Sequence, residues 1–139
     1  MSDVATTRRW PDLRITDLAA VRAFIRQRGR ADGASDEAID DLVQATDELV
    51  CNVIRHGYRA GSGPVELTLE REGDRLRITI ADQAPPFDPT RHPEPRLDLP
   101  LEQRPLGGMG VHLARSLTDT MRHRMLPGGG NEVTLEKRL

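Results

Sequence analysis

Residues 35–57 constrain the fold most. Ile39, Leu42, Val43, Thr46, Leu49, Val50 and Val53 recur at three- and four-residue steps. At about 100° per residue they share one arc of an α-helix. Ser35 is placed to cap that helix, Asp36 and Glu37 suit the positive end of its dipole, and Gly57 is expected to stop it. Directly afterwards the period changes to two. Val65, Leu67 and Leu69 alternate with polar residues, as do Leu76, Ile78 and Ile80, and Gly73-Asp74 joins the two runs as a hairpin. A helix with one apolar stripe beside strands with one apolar face predicts two layers sharing a core.

The remaining segments extend this plan. Residues 1–7 are expected to be a frayed, disordered terminus. Residues 10–15 read as a short edge strand, because Pro11 argues against a central one. Thr16 is placed to cap a helix carrying Leu18, Val21, Ala23, Phe24 and Ile25, which Gly29 would end. Residues 85–105 hold seven of the ten prolines, so a loop without regular structure is expected there. Gly107-Gly108-Met109-Gly110 then opens a helix over 111–117. Strands over 120–126 and 133–137, joined by a turn at 127–130, complete the chain. No repeat is present. The prediction is a single domain over residues 1–139, an α+β two-layer sandwich. Its mostly antiparallel or mixed sheet is covered on one face by helices.

Composition excludes several roles. Aromatic residues are only 3% of the chain, so the core must be aliphatic and a stacking platform for single-stranded nucleic acid is not expected. A formal net charge of -2, with no dominant basic stretch, argues against nucleic acid or a membrane surface as partner. Cys51 is the one cysteine, so no internal disulfide can form, and a reducing cytoplasm is the expected compartment. The first 30 residues lack a long apolar run, so neither a signal peptide nor a spanning helix is expected. The four histidines show no zinc-ligand spacing, and Ser62 and Ser116 lack a nucleophile-elbow context.

Three places could carry chemistry. Glu48 and Asn52 lie four residues apart, about 40° apart around the helix and ~6 Å apart along it. A carboxylate can take a proton, and a carboxamide oxygen can ligand a hard cation such as Mg²⁺. Both fall opposite the apolar arc, which fits either a solvated outer face or one wall of a cleft. Gly107 to Gly110 are either an ordinary helix start or an anion site built from unpaired N–H groups. They are not a Walker loop, since no lysine follows the glycines, nor a dinucleotide fingerprint, since no strand leads into them. Asp82 ends an apolar strand, where a carboxylate is unfavourable unless paired. It either caps the turn into Ala84-Pro85-Pro86 or accepts from an exocyclic amine such as that of adenine.

Taken together, these segments resemble the nucleotide-binding boxes of the GHKL ATPase superfamily, and within it the small bacterial anti-sigma factor serine kinases. The first box is Ala45-Thr-Asp-Glu48-Leu-Val-Cys-Asn52-Val-Ile-Arg-His56-Gly-Tyr58. The second is Asp82-Gln-Ala-Pro-Pro-Phe87-Asp88-Pro89, and the third Gly107-Gly-Met-Gly110-Val-His-Leu-Ala-Arg115-Ser116-Leu. The ending from Asn131 to Arg138 is similar to the family's closing strand. The resemblance spans roughly residues 8–138.

The resemblance implies a Bergerat-type ATP-binding fold, with ATP and Mg²⁺ as cofactors. Glu48 would be the general base toward an acceptor hydroxyl, and Asn52 the Mg²⁺ ligand. Asp82 would read the adenine amine. Gly108 and Gly110 would offer N–H groups to the phosphates, with Ala84, Met109 and Val111 completing the nucleotide site. Residues 85–106 would form the ATP lid. The implied activity is serine/threonine protein kinase. The implied partners are a STAS-type anti-sigma antagonist, a sigma factor and, in many members, a second copy of the chain. Two alternatives remain: a switch that holds ATP or ADP without phosphorylating its partner, and a histidine-kinase-type catalytic domain acting in trans. One departure is Ala84, where the family usually has glycine.

Overall fold

The structure, a computed structural model, describes residues 4–91, 98, 100 and 108–139. Among these residues, β1 (Thr6–Leu13), β2 (Gly63–Glu72), β3 (Arg75–Asp82), β4 (Thr120–Met125) and β5 (Asn131–Arg138) form one antiparallel sheet in the order β1-β2-β3-β5-β4. Helices α1 (Leu18–Ala31), α2 (Asp36–Asn52) and α3 (Gly108–Leu117) make the second layer. The fold is therefore α+β, with the sheet wholly antiparallel. No α-helix among the described residues is long and apolar enough to cross a membrane.

The two periodicities meet in the core. Val65, Leu67 and Leu69 of β2, and Leu76, Ile78 and Ile80 of β3, are buried under Leu42, Leu49 and Val50 of α2. The opposite sheet face carries charge. There Arg77 pairs with Glu70, Glu72 and Glu136, and Arg9 with Glu66.

Several boundaries differ from the sequence expectation, each for a tertiary reason. Thr6 and Thr7, expected in the frayed terminus, are the first rungs of β1 against Leu69 and Thr68; residues 1–3 lie outside the described residues. Pro11 is tolerated because β1 is an edge strand whose register slips between Trp10 and Leu13. Thr16 is not the cap of α1. It lies inside a 3₁₀ turn, Ile15–Asp17, closed by Arg14 N–H donating to Asp17 Oδ2 at 3.0 Å. Gly29 does not end α1 either. It is buried within the helix, where a Cβ would stand 2.9 Å from Ile39 Cγ1 of α2. Glycine there lets the two helices cross closely.

Ser35 does cap α2, accepting from Ala38 N–H at 3.1 Å. Gly57 does not stop it by a left-handed turn, since its φ is not positive. The helix instead widens into a π-turn, Val53–Gly57, in which Tyr58 N–H reaches back to Val53 O at 2.9 Å. Such turns re-aim the side chains that follow them. At the far end of the domain, Lys137 of β5 donates to Leu117 O at 2.9 Å and pairs with Asp41 Oδ2 at 2.9 Å. One ammonium thus joins β5, α2 and the C-terminal end of α3, where a cation is favoured by the dipole.

Candidate functional site

The π-turn and the adjoining ends of α2, β3 and β5 enclose a cavity of about 380 Å³. Leu49, Val53, Ile80 and Val133 give it apolar walls, and Asn52, His56, Asp82 and Asn131 line it with polar groups. Asp82 is the inward residue at the end of β3 and only 5% exposed. Its Oδ1 accepts from Ala84 N–H at 2.9 Å and from Asn131 Nδ2 at 3.0 Å. Burial pushes its carboxyl above the usual carboxylate range, and those two donors only partly offset the effect.

Asn131, at 3% exposure, faces Asp82 directly across the β3–β5 ladder. The turn before it makes this possible. Gly130 has φ +102°, and a Cβ there would overlap the Asp82 carbonyl oxygen. Asn131 Oδ1 accepts from Phe87 N–H at 2.9 Å and faces His123 Nε2 at 2.9 Å. Sequence reasoning singled out neither Asn131 nor His123. The available signal was the alternation of β5, which puts Asn131 on the same face as Val133 and Leu135.

The turn after Asp82 is pinned from outside by Tyr58. Its hydroxyl donates to Pro64 O and accepts from Gln83 N–H at 2.8 Å. Ala84 is buried at the cavity wall, and its methyl faces Gly57: a Cβ on Gly57 would stand 2.8 Å from it. Gly57 therefore leaves the space that the Ala84 methyl takes.

Glu48 and Asn52 are both half-buried, and α3 packs against α2 on the flank that carries Glu48. Asn52 lines the cavity. Glu48 lies against the first turn of α3, where a Cβ on Gly110 would overlap its Oε2 and approach its Cδ to 3.3 Å. Gly108 and Met109 begin that turn. Val111 is buried and does not line the cavity. The structure thus gathers Asn52, Asp82 and Ala84 on one cavity and sets Glu48 beside Gly110. Gly107, and most of the expected lid at 92–97, 99 and 101–106, lie outside the described residues. Before them, Pro89–Arg91 forms a 3₁₀ turn where no regular structure was expected. Asp88 Oδ1 caps it, accepting from Thr90 N–H and Oγ1 at 2.9 and 2.6 Å.

The contact between Glu48 and Gly110 yields a direct test. Gly110→Ala is expected to lower the melting temperature by roughly 4–10 °C, since overpacking costs about 1–3 kcal/mol. Adding Glu48→Ala should recover part of that loss, because it removes the atoms the new methyl meets. Thermal denaturation of both single variants and the double variant checks this, and strict additivity would contradict the contact.

The family model for the histidine kinase-like ATPase domain matches residues 12–137. The chain belongs to that family. Membership of the family implies ATP binding. Among curated relatives, the serine-protein kinase RsbW of Staphylococcus epidermidis is 36% identical over 93 residues, covering 63% of this chain and 58% of the relative. RsbW of Bacillus cereus strain AH187 is 27% identical over 106 residues, covering 73% of this chain and 66% of the relative. The aligned part therefore spans about three-fifths to two-thirds of the relatives' length. Among solved structures, the RsbU and RsbW domains of Rv1364c from Mycobacterium tuberculosis superpose with a TM-score of 0.66 at 25% identity. That match covers 96% of this histidine kinase-like ATPase domain and 32% of the solved chain.

Proposed function

We propose that this domain is a Mg²⁺-ATP-dependent serine/threonine protein kinase that phosphorylates a small STAS-type antagonist and so regulates a sigma factor. The observation that carries the reading is the cavity, with its aliphatic walls and one buried carboxylate, Asp82, beside Asn52. Aliphatic walls suit a planar base, and a carboxylate held there suits its exocyclic amine. The relatives named serine-protein kinase RsbW support the reaction class.

The residues fit the groups this activity needs. Among the described residues no three His, Cys, Asp or Glu side chains gather to hold a metal. A cation here would rest on the Asn52 carboxamide and otherwise on phosphate oxygens and water, the usual preference of Mg²⁺. Bound Mg²⁺ would neutralise charge developing on the phosphates. The N–H groups at the start of α3 would orient the phosphates, and Gly110 keeps that turn open beside Glu48. Glu48 would take the proton of the acceptor hydroxyl, and the rest of the work is positioning.

Ala84 favours a second reading. Its buried methyl occupies part of the cavity wall, as in a switch that holds nucleotide and a partner but transfers nothing. Calorimetry with Mg²⁺-ATP, followed by label transfer to STAS-type proteins of the same genome, separates the two. Binding with transfer supports the kinase. Binding without transfer to any candidate leaves the switch. No binding of ATP or ADP overturns both.

A further inference from the structure

We propose that His123 is a positioning residue for base recognition, acting on Asp82 through Asn131. This rests on the reading of the cavity as an ATP site. His123 is the inward residue of β4 opposite Val133, and its side chain is 7% exposed. Its Nε2 lies 2.9 Å from Asn131 Oδ1, an oxygen that can only accept, so Nε2 is the donor. Its Nδ1 lies 3.7 Å from Asp88 Oδ2. Asp88 in turn holds Thr90 and lies 3.6 Å from Arg91.

The Asn131 amide can face only one way in this setting. Its nitrogen meets three acceptors: Asp82 Oδ1 at 3.0 Å, Pro85 O at 3.1 Å and Ala84 O at 3.4 Å. Its oxygen meets two donors, Phe87 N–H and His123 Nε2. Reversal would set oxygen against three oxygens. Removing His123 takes away one of the two donors that hold the orientation. The orientation of Asn131 decides whether Asp82 Oδ1 keeps its side-chain donor in addition to Ala84 N–H, and Asp82 is the group that separates an amine-bearing base from a carbonyl-bearing one. Guanine presents a carbonyl where adenine has its amine, so the ratio of ATP to GTP affinity reads this positioning directly.

The test measures ATP and GTP affinity and melting temperature for wild type, His123→Ala, His123→Gln and His123→Asn. His123→Ala should weaken ATP binding about tenfold and narrow the ATP-over-GTP preference by a similar factor, the worth of one supporting hydrogen bond. The Gln amide nitrogen reaches the place of Nε2, so this variant should keep the preference within about threefold of wild type. The Asn amide falls short of Asn131 and should behave like Ala. An unchanged ATP-to-GTP ratio in folded His123→Ala overturns the proposal. So does equal behaviour of Gln and Asn, which stands as the test if the Ala variant does not fold. Wild type that binds neither nucleotide overturns the ATP-site reading itself, and this proposal with it.

Discussion

Glu48→Gln is expected to lower phosphoryl transfer about 10²–10⁴-fold while leaving ATP affinity within about threefold of wild type. Glutamine keeps the shape that lies against Gly110 but cannot take a proton. The choice of variant matters, because Glu48→Ala would also empty the space under the first turn of α3. Calorimetry gives the affinity, and single-turnover label transfer gives the rate. A rate equal to that of wild type would remove Glu48 from the chemistry. A fall in affinity as large as the fall in rate would make it a binding residue instead.

Asp82→Asn should move binding and stability in opposite directions. An amide offers only one acceptor where the carboxylate offers two, so ATP affinity should fall about 10–100-fold, the worth of a charge-assisted hydrogen bond. Stability without ligand should rise at neutral pH. Burial raises the Asp82 carboxyl above its ordinary value of 3.8, so the folded chain holds that proton more tightly than the unfolded chain. Stability is therefore lost as pH rises from 3.8 through the folded value, and the deficit persists at pH 7. The amide carries no such deficit. Its advantage in melting temperature should be present at pH 7 and shrink toward zero as pH falls below 3.8. An advantage independent of pH would mean that packing rather than ionisation is responsible. A destabilised variant at pH 7 would show that the bonds from Ala84 and Asn131 outweigh burial.

The two layers were legible because α2 and the β2–β3 hairpin each bury one face, and burying one face leaves a period in the residues. What the period does not carry is contact between distant segments. Gly29 looked like a helix end and is a close crossing against Ile39. Thr6 and Thr7 looked frayed and are recruited by β2. The helical wheel set Glu48 and Asn52 opposite the stripe but could not say that Glu48 meets the first turn of α3 while Asn52 lines a cavity. The π-turn leaves no pattern in five residues, yet it brings His56 and Gly57 to the cavity. Asn131 was read only as the start of the closing strand, because Asp82, the partner that places it in the site, is 49 residues away. Ala84 reads differently once Gly57 is seen beside it. A methyl in the expected place of glycine faces a glycine that leaves room for it.

The ammonium joining α2, α3 and β5 makes the chain its own probe of local opening. Lys137 is the one lysine in these 139 residues, and both of its partners lie on the helical layer. Side-chain amine reagents therefore have a single target, held while the last turn of α3 is docked. The rate of acylation at that target, followed by mass, reports how often the end of α3 lifts from α2, without a label being introduced. Because α3 begins at the glycine turn beside Glu48, nucleotide that settles the start of the helix should slow the reaction at its other end.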